Sequence, residues 1–252
     1  MAKPICMIID GSSLTYRAFY ALPLLTDAAG RYTNAVYGLS TMLLRLLGEW
    51  QPQQLVVAFD KGKHTFRNEV YGDYKAHRKA TPVELVEQFP LVRELAAAFG
   101  AAVLEQEGYE ADDIIGRVSR DAAQEGLDVL IVTGDRDALQ LVEPAVKVLL
   151  TRKGISEMDV YDEAKVQEVY GMEPLRLIDL KGLMGDASDN IPGVPGIGEK
   201  TAAKLLAQFG TLEEVLAQAA QVKGNKTREA LISNADLALL SKKLATIVRD
   251  MP

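Results

Sequence analysis

The sequence predicts an α/β protein, with a mostly parallel central sheet flanked by helices and a helical C-terminal lobe. Three observations carry this expectation. Short β-rich apolar runs recur at residues 5–9, 55–59, 102–105, 129–133 and 146–150, separated by helical patterns. Three aspartates, Asp10, Asp60 and Asp135, stand at or just after the ends of such runs. Past about residue 160 the β-rich runs stop, and the remainder reads helical apart from a turn-rich stretch over 186–198 punctuated by Gly and Pro.

The first run follows Met1-Ala2-Lys3-Pro4, which is too short and wrongly flanked for a secretory leader, so a cytoplasmic protein is expected. A helical pattern over 35–50 leads into the second run, and another over 83–99 leads into the third. Residues 112–125 form a further helical pattern, with Gly126 placed as a C-cap glycine would be. Alternation of this kind gives a parallel sheet covered by helices. The expected division is an α/β core over 1–160 and a helical lobe over 161–252, with no linker or repeat between them.

At 252 residues the chain can fill one large domain, or a core with a smaller helical appendage. Hydrophobic residues make up 48% and charged residues 25%, and no run approaches the roughly 20 apolar residues of a membrane span. Cys6 is the single cysteine and reads as a small buried hydrophobe, which excludes intrachain disulfides and thiolate metal sites. The two histidines, His64 and His77, belong to no Ser or Cys constellation, so a nucleophilic triad is disfavoured. A net charge of −7 argues at first against a polyanionic partner. If nine acids are counted toward bound cations, however, 26 remain against 28 bases.

Those nine acids are the most informative feature. In an open parallel sheet, strand C-termini line the crevice where ligands bind, so Asp10, Asp60 and Asp135 would face one site. The others fall in tight groups: Glu110, Asp112 and Asp113 in GYEADD, Asp137 beside Asp135 in TGDRD, and Asp186 with Asp189 in GDASDN. So many carboxylates would repel one another unless cations sat among them, and oxygen ligands without His or Cys point to Mg²⁺ or Mn²⁺. Asp112 and Asp113 also open a predicted helix, where capping and dipole compensation are an equal reading.

The segments IIDGSS, AFD, GYEADDIIG, TGDRDALQLV and LMGDASDNIPGVPGIGEKTA resemble the 5′ nuclease family, which includes the 5′ nuclease domains of bacterial DNA polymerase I and, more distantly, flap endonucleases and phage 5′ exonucleases. The resemblance covers essentially the whole chain. It implies a PIN-like 5′ nuclease fold and a two-metal phosphodiesterase that leaves 5′ phosphates, with ions roughly 4 Å apart. It places Asp10, Asp60, Glu110 and Asp112 in one metal group and adds Asp113, Asp135, Asp137, Asp186 and Asp189, the last two completing the site from the helical lobe.

The resemblance also organises the basic residues. Lys61, Lys63, Arg67, Lys75, Arg78 and Lys79 crowd a segment that corresponds to the family's helical arch, at about 61–82, although composition alone would also allow a solvated face. YKAHR matches the motif at the base of that arch and implies catalytic roles for Lys75 and Arg78, which at i and i+3 would share a helix face. Tyr16 matches an aromatic that stacks on an unpaired base, with Arg17 beside it on the DNA, while core packing of Tyr16 stays open. GVPGIGEKTAAKLL corresponds to a helix-three-turn-helix element, at about 186–208, that grips duplex phosphates around a K⁺ ion. It assigns DNA contacts to Gly193, Gly196, Gly198, Lys200 and Lys204.

The expected function is cleavage at 5′ flaps, nicks and frayed 5′ ends of branched DNA and RNA–DNA primer junctions, without base specificity, by a monomer. A chain stopping at Arg249-Asp250-Met251-Pro252 is expected to be a fragment with a polymerase linked to it. A freestanding flap endonuclease paralogue and a catalytically inactive DNA-binding module are the alternatives, and the intact acidic set argues against the second.

Overall fold

A computed structural model describes residues 3–152, 154 and 157–252, without the side chain of Lys63. The chain divides into two compact units. The first comprises Met1–Thr65, Ala80–Lys165 and Ile247–Pro252, and the second Phe66–Lys79 with Val166–Thr246. The expected division at residue 160 is therefore interleaved: the basic segment groups with the helical unit, and the last six residues return to the α/β unit.

In the first unit, β1 (Ile5–Asp10), β2 (Gln54–Thr65), β3 (Ala102–Gly108), β4 (Asp128–Thr133), β5 (Val146–Thr151) and β6 (Met158–Tyr161) form one sheet in the order β3-β2-β1-β4-β5-β6. All neighbours are parallel except β5 and β6. The four-residue β6 was not foreseen, because MDVY is too short and too polar to stand out from a loop. Central β1 is buried along nearly its whole length, as a parallel strand covered on both faces must be. Helices α1 (Gly11–Ala21) and α2 (Asn34–Trp50) cover one face, where Leu14, Leu39 and Leu43 meet Met7, Ile9, Val57 and Phe59.

The short α3 (Phe66–Val70) belongs to the second unit, and turns rather than helix follow it. The pattern over 83–99 forms two helices, α4 (Val83–Val86) and α5 (Phe89–Ala98), instead of one. Pro90 suits the first turn of α5, where its missing N–H costs nothing. Between the two helices, fully buried Gln88 accepts from Ala35 N (2.7 Å) and donates to Asn34 Oδ1 (2.9 Å), so the break serves to hold the start of α2. Helix α6 (Ala111–Gln124) completes this unit's principal helices.

Helices α7 (Glu163–Tyr170), α8 (Arg176–Met184), α9 (Glu199–Phe209), α10 (Leu212–Ala217), α11 (Asn225–Ser233) and α12 (Ala235–Ala245) follow. Leu183, Ala202, Leu212, Val215, Leu231 and Ala238 form the core of the second unit. Between α8 and α9 the chain doubles back, with Asp186 bridged to Ile191 and Val194 N donating to Leu183 O (2.8 Å). Gly193 makes this possible: its φ is +62°, and a Cβ there would lie 2.2 Å from Gly185 N.

Gly193→Ala is therefore expected to destabilise the protein by roughly 3 kcal/mol in urea unfolding, a size reserved for backbone strain and overpacking. Gly196→Ala, at φ +84° but in open space, should cost only about 1 kcal/mol. Equal small shifts would contradict this reading of the turn.

Candidate metal centre and nucleic-acid interface

The strand order reverses between β1 and β4, because β2 and β3 continue on one side and β5 on the other. A crevice opens at such a switch point, at the carboxyl ends of the strands. Ile9 pairs with Val132, so Asp10 and Thr133 leave the sheet side by side. Asp10 Oδ2 accepts from Thr133 Oγ1 (2.6 Å) and Oδ1 from Ser13 N (2.9 Å), capping α1. Ser13 Oγ accepts from Gly134 N (3.1 Å), and Ser12 Oγ from Asp60 N (3.0 Å), so the residues after Asp10 tie β1 to both of its neighbours. Asp135 caps the 3₁₀ turn Arg136–Leu141 by accepting from Asp137 N (2.9 Å), which holds both acids at that edge.

Glu110 is the N-cap of α6, and Asp60 Oδ1 accepts from Ala111 N (2.9 Å) in the same first turn. Half-buried Asp112 lies in that turn as well. Asp113 is placed differently. It is wholly buried, with Oδ2 accepting from Glu110 N (3.1 Å) in a capping box and Oδ1 accepting from Val248 N (2.9 Å). The capping contacts expected of GYEADD are thus made by Asp113.

Among the described residues, no three carboxylates stand close enough to hold an ion as they are arranged. The charge balance nevertheless fits a hard divalent cation. Asp10 is 4% exposed, and burial pushes its carboxyl up to about 7, with Asp60 and Asp135 adding to the rise against the bonds from Thr133 and Ser13. Carboxylate oxygens are the donor set that such an ion takes, and Asp10, Asp60, Glu110, Asp112, Asp135 and Asp137 would be its holders in this unit.

Tyr16 is half-buried, edge-on to Phe89 with ring centres 6.0 Å apart, and its hydroxyl pairs with Thr81 Oγ1. The ring thus has one packing partner while staying partly exposed. Arg17 reaches Arg152 O (3.4 Å), and its Nε lies near Gly134 on the strand-end side of α1.

Within the second unit, Lys75 and Arg78 share no helix face, because they lie in turns and Lys75 has φ +56°. Both nevertheless meet one carboxylate. Asp189 Oδ1 accepts from Arg78 Nη2 (2.6 Å), and Oδ2 accepts from the Tyr74 hydroxyl (3.2 Å) and stands 3.6 Å from Lys75 Nζ. Asp186 pairs with Lys181 and accepts from both Ser188 N and Oγ. Partial burial opposes its charge, but these partners outweigh burial and hold its carboxyl at about 2. Arg67 leaves the basic set, since it is buried and donates to Leu244 O and Thr246 O. Gly198 caps α9, and Lys200 and Lys204 are exposed on that helix one turn apart.

A strand-end crevice lined by carboxylates is the kind of site that metal-assisted phosphodiester hydrolysis uses. Residues 5–171 match the family model of the 5′-3′ exonuclease N-terminal resolvase-like domain, and residues 172–252 that of the 5′-3′ exonuclease C-terminal SAM fold. The chain belongs to the 5′-3′ exonuclease family. It is 56% identical over 246 residues to DNA polymerase I of Bacillus caldotenax and 49% identical to that of Bacillus subtilis. In each case 98% of this chain is covered but only 28% of the polymerase. T5 5′-exonuclease, in a structure with bound zinc, superposes with TM-score 0.80 at 25% identity, over 97% of this chain and 90% of that one. The catalytic core of Rad2 in complex with DNA substrate shares the fold at TM-score 0.60 and 16% identity, over 99% of this chain and 78% of that one.

The raised carboxyl of Asp10 sets a sign. Its folded value of about 7 lies above the ordinary 3.8, so the metal-free protein loses stability as pH rises through that window. In EDTA at about pH 8, Asp10→Asn is expected to raise Tm by roughly 3 °C or more, with the difference closing below about pH 4. A lower Tm at about pH 8 would show that Asp10 is not a strained anion.

Proposed function

We propose that this chain hydrolyses phosphodiesters at 5′ flaps, nicks and frayed 5′ ends with two Mg²⁺ or Mn²⁺ ions, leaving 5′ phosphates, in RNA primer removal and DNA repair. The observation that carries the reading is Asp10, buried at the switch point beside Asp60 and Asp135 with its carboxyl driven toward neutrality. When bound, the ions would supply an activated water and neutralise charge on the phosphate and leaving oxygen. Asp10, Asp60, Glu110, Asp112, Asp135 and Asp137 are proposed as holders in the first unit, and Asp186 and Asp189 in the second.

The other parts are drawn from the same reading. Lys75 and Arg78 donate to the scissile phosphate, and Lys200 and Lys204, at the glycine-rich start of α9, hold duplex phosphates without reading bases. Tyr16 and Arg17 serve the unpaired end, and a K⁺ ion held by the carbonyls around Gly193 and Gly196 belongs to the same proposal. Similarity to DNA polymerase I over 98% of this chain but only 28% of that protein supports a covalently linked polymerase, and a monomeric state and a cytoplasmic location belong to the same proposal. Among the described residues no helix is long and apolar enough to cross a membrane.

The test is cleavage of a 5′-flap substrate after EDTA treatment, with turnover expected in Mg²⁺ or Mn²⁺ and none in Ca²⁺, whose looser coordination spoils an in-line displacement. Turnover in EDTA alone would overturn the metal reading.

In single-turnover cleavage, Lys75→Ala and Arg78→Ala are each expected to slow the reaction about a hundredfold while binding in Ca²⁺ barely moves, as removal of a transition-state donor does. Lys79→Ala, exposed in the same segment, is the control and should affect affinity modestly and rate little. Equal small effects from all three would return the segment to a solvated basic face.

A further inference from the structure

The last residues of the chain run back across the two acid-bearing elements of the first unit. Ile247 N donates to Gln140 Oε1 (2.8 Å), on the turn that carries Asp135 and Asp137. Val248 N donates to Asp113 Oδ1 (2.9 Å), in the helix turn that carries Glu110 and Asp112. Gly116 leaves room for this crossing, since a Cβ there would lie 2.7 Å from Ile247 Cγ2. Arg249 pairs with Glu143 (3.1 Å) beyond the 3₁₀ turn, and Arg117 of α6 bonds Met251 O.

We propose that Asp113 is a positioning residue and not a metal ligand, and that it sets the metal-holding acids by clamping the segment Ile247–Pro252 to the first turn of α6. The argument is one of donors and acceptors. Asp113 is wholly buried, and each of its oxygens accepts from a backbone N–H, one at the N-cap Glu110 and one at Val248. Removing the carboxylate would take a partner from the buried N–H of Glu110 and from the part-buried N–H of Val248, a cost relieved by shifting the helix start. Glu110 is that start and would move with it. Gln140, also buried, holds the same segment to the 3₁₀ turn, so a single strap fixes both acidic groups. Partners of this kind behind metal ligands govern affinity without touching the ion.

The inference rests on the metal reading above, and its test separates the two. Mn²⁺ binding would be measured by electron paramagnetic resonance and calorimetry on the unmodified chain, Asp113→Asn, Val248→Pro and Glu110→Gln. Asp113→Asn and Val248→Pro are expected to keep the number of ions bound by the unmodified chain while weakening affinity to similar degrees, about tenfold or more. Glu110→Gln should lose an ion. In Asp113→Asn, hydrogen exchange at the Glu110 and Val248 amides should quicken, a readout that stands even if Val248→Pro does not fold. Loss of an ion in Asp113→Asn with unchanged binding in Val248→Pro would make Asp113 a ligand and overturn the inference. Unchanged affinity or unchanged exchange in Asp113→Asn would overturn it too. An unmodified chain that binds no Mn²⁺ would instead overturn the metal reading on which the inference rests.

Discussion

Asp10 sits where the sheet reverses direction, almost sealed from water, with a hydroxyl and an amide donating to it and further acids beside it. An anion in that position is costly unless a cation or a proton compensates it. The parallel topology creates the problem, because the carboxyl ends of β1 and β4 open together. On the proposed function, that folding cost is what a bound cation would relieve.

The remaining acids are held by devices that also shape the fold. Asp135 caps a 3₁₀ turn, Glu110 caps α6, and Asp60 accepts from the first amide of that helix. Each places a charge near a helix start, where unpaired N–H groups favour it, so the same residues end loops and line the site. In the second unit Asp189 acts as a hub for Tyr74, Lys75 and Arg78, and the strained backbone of Lys75 is fixed by its own N–H bond to Asp189 O (2.9 Å). Backbone strain of this sort persists only where several contacts over-determine it.

Much of this was legible in the sequence. The five β-rich runs became β1 to β5, and the helices over 35–50 and 112–125 shifted by a residue or so, because continuous apolar runs and capping residues act locally. The aspartates closing the first and fourth runs were legible for the same reason, whereas β2 continues past Asp60 to Thr65, so Asp60 is not at a strand end. What was hidden depends on contacts between distant residues. Nothing near Asp113 announces that Val248 will bond to it, and nothing near Arg67 announces its burial against Leu244 and Thr246. Thr133, Ser12 and Ser13 went unremarked although they orient the acids; a hydroxyl closing a buried strand just before Gly-Asp was the available cue. The i, i+3 spacing of Lys75 and Arg78 implied a helix face that the turn does not supply, yet the two cations still converge, because Asp189 draws both.

The most direct test is anomalous diffraction at the manganese edge from crystals soaked in Mn²⁺. The account predicts peaks within bonding distance of carboxylate oxygens of Asp10 and of others among Asp60, Glu110, Asp112, Asp135 and Asp137, and no peak bonded to Asp113. An absence of any peak at Asp10, or a peak coordinated by Asp113, would contradict it.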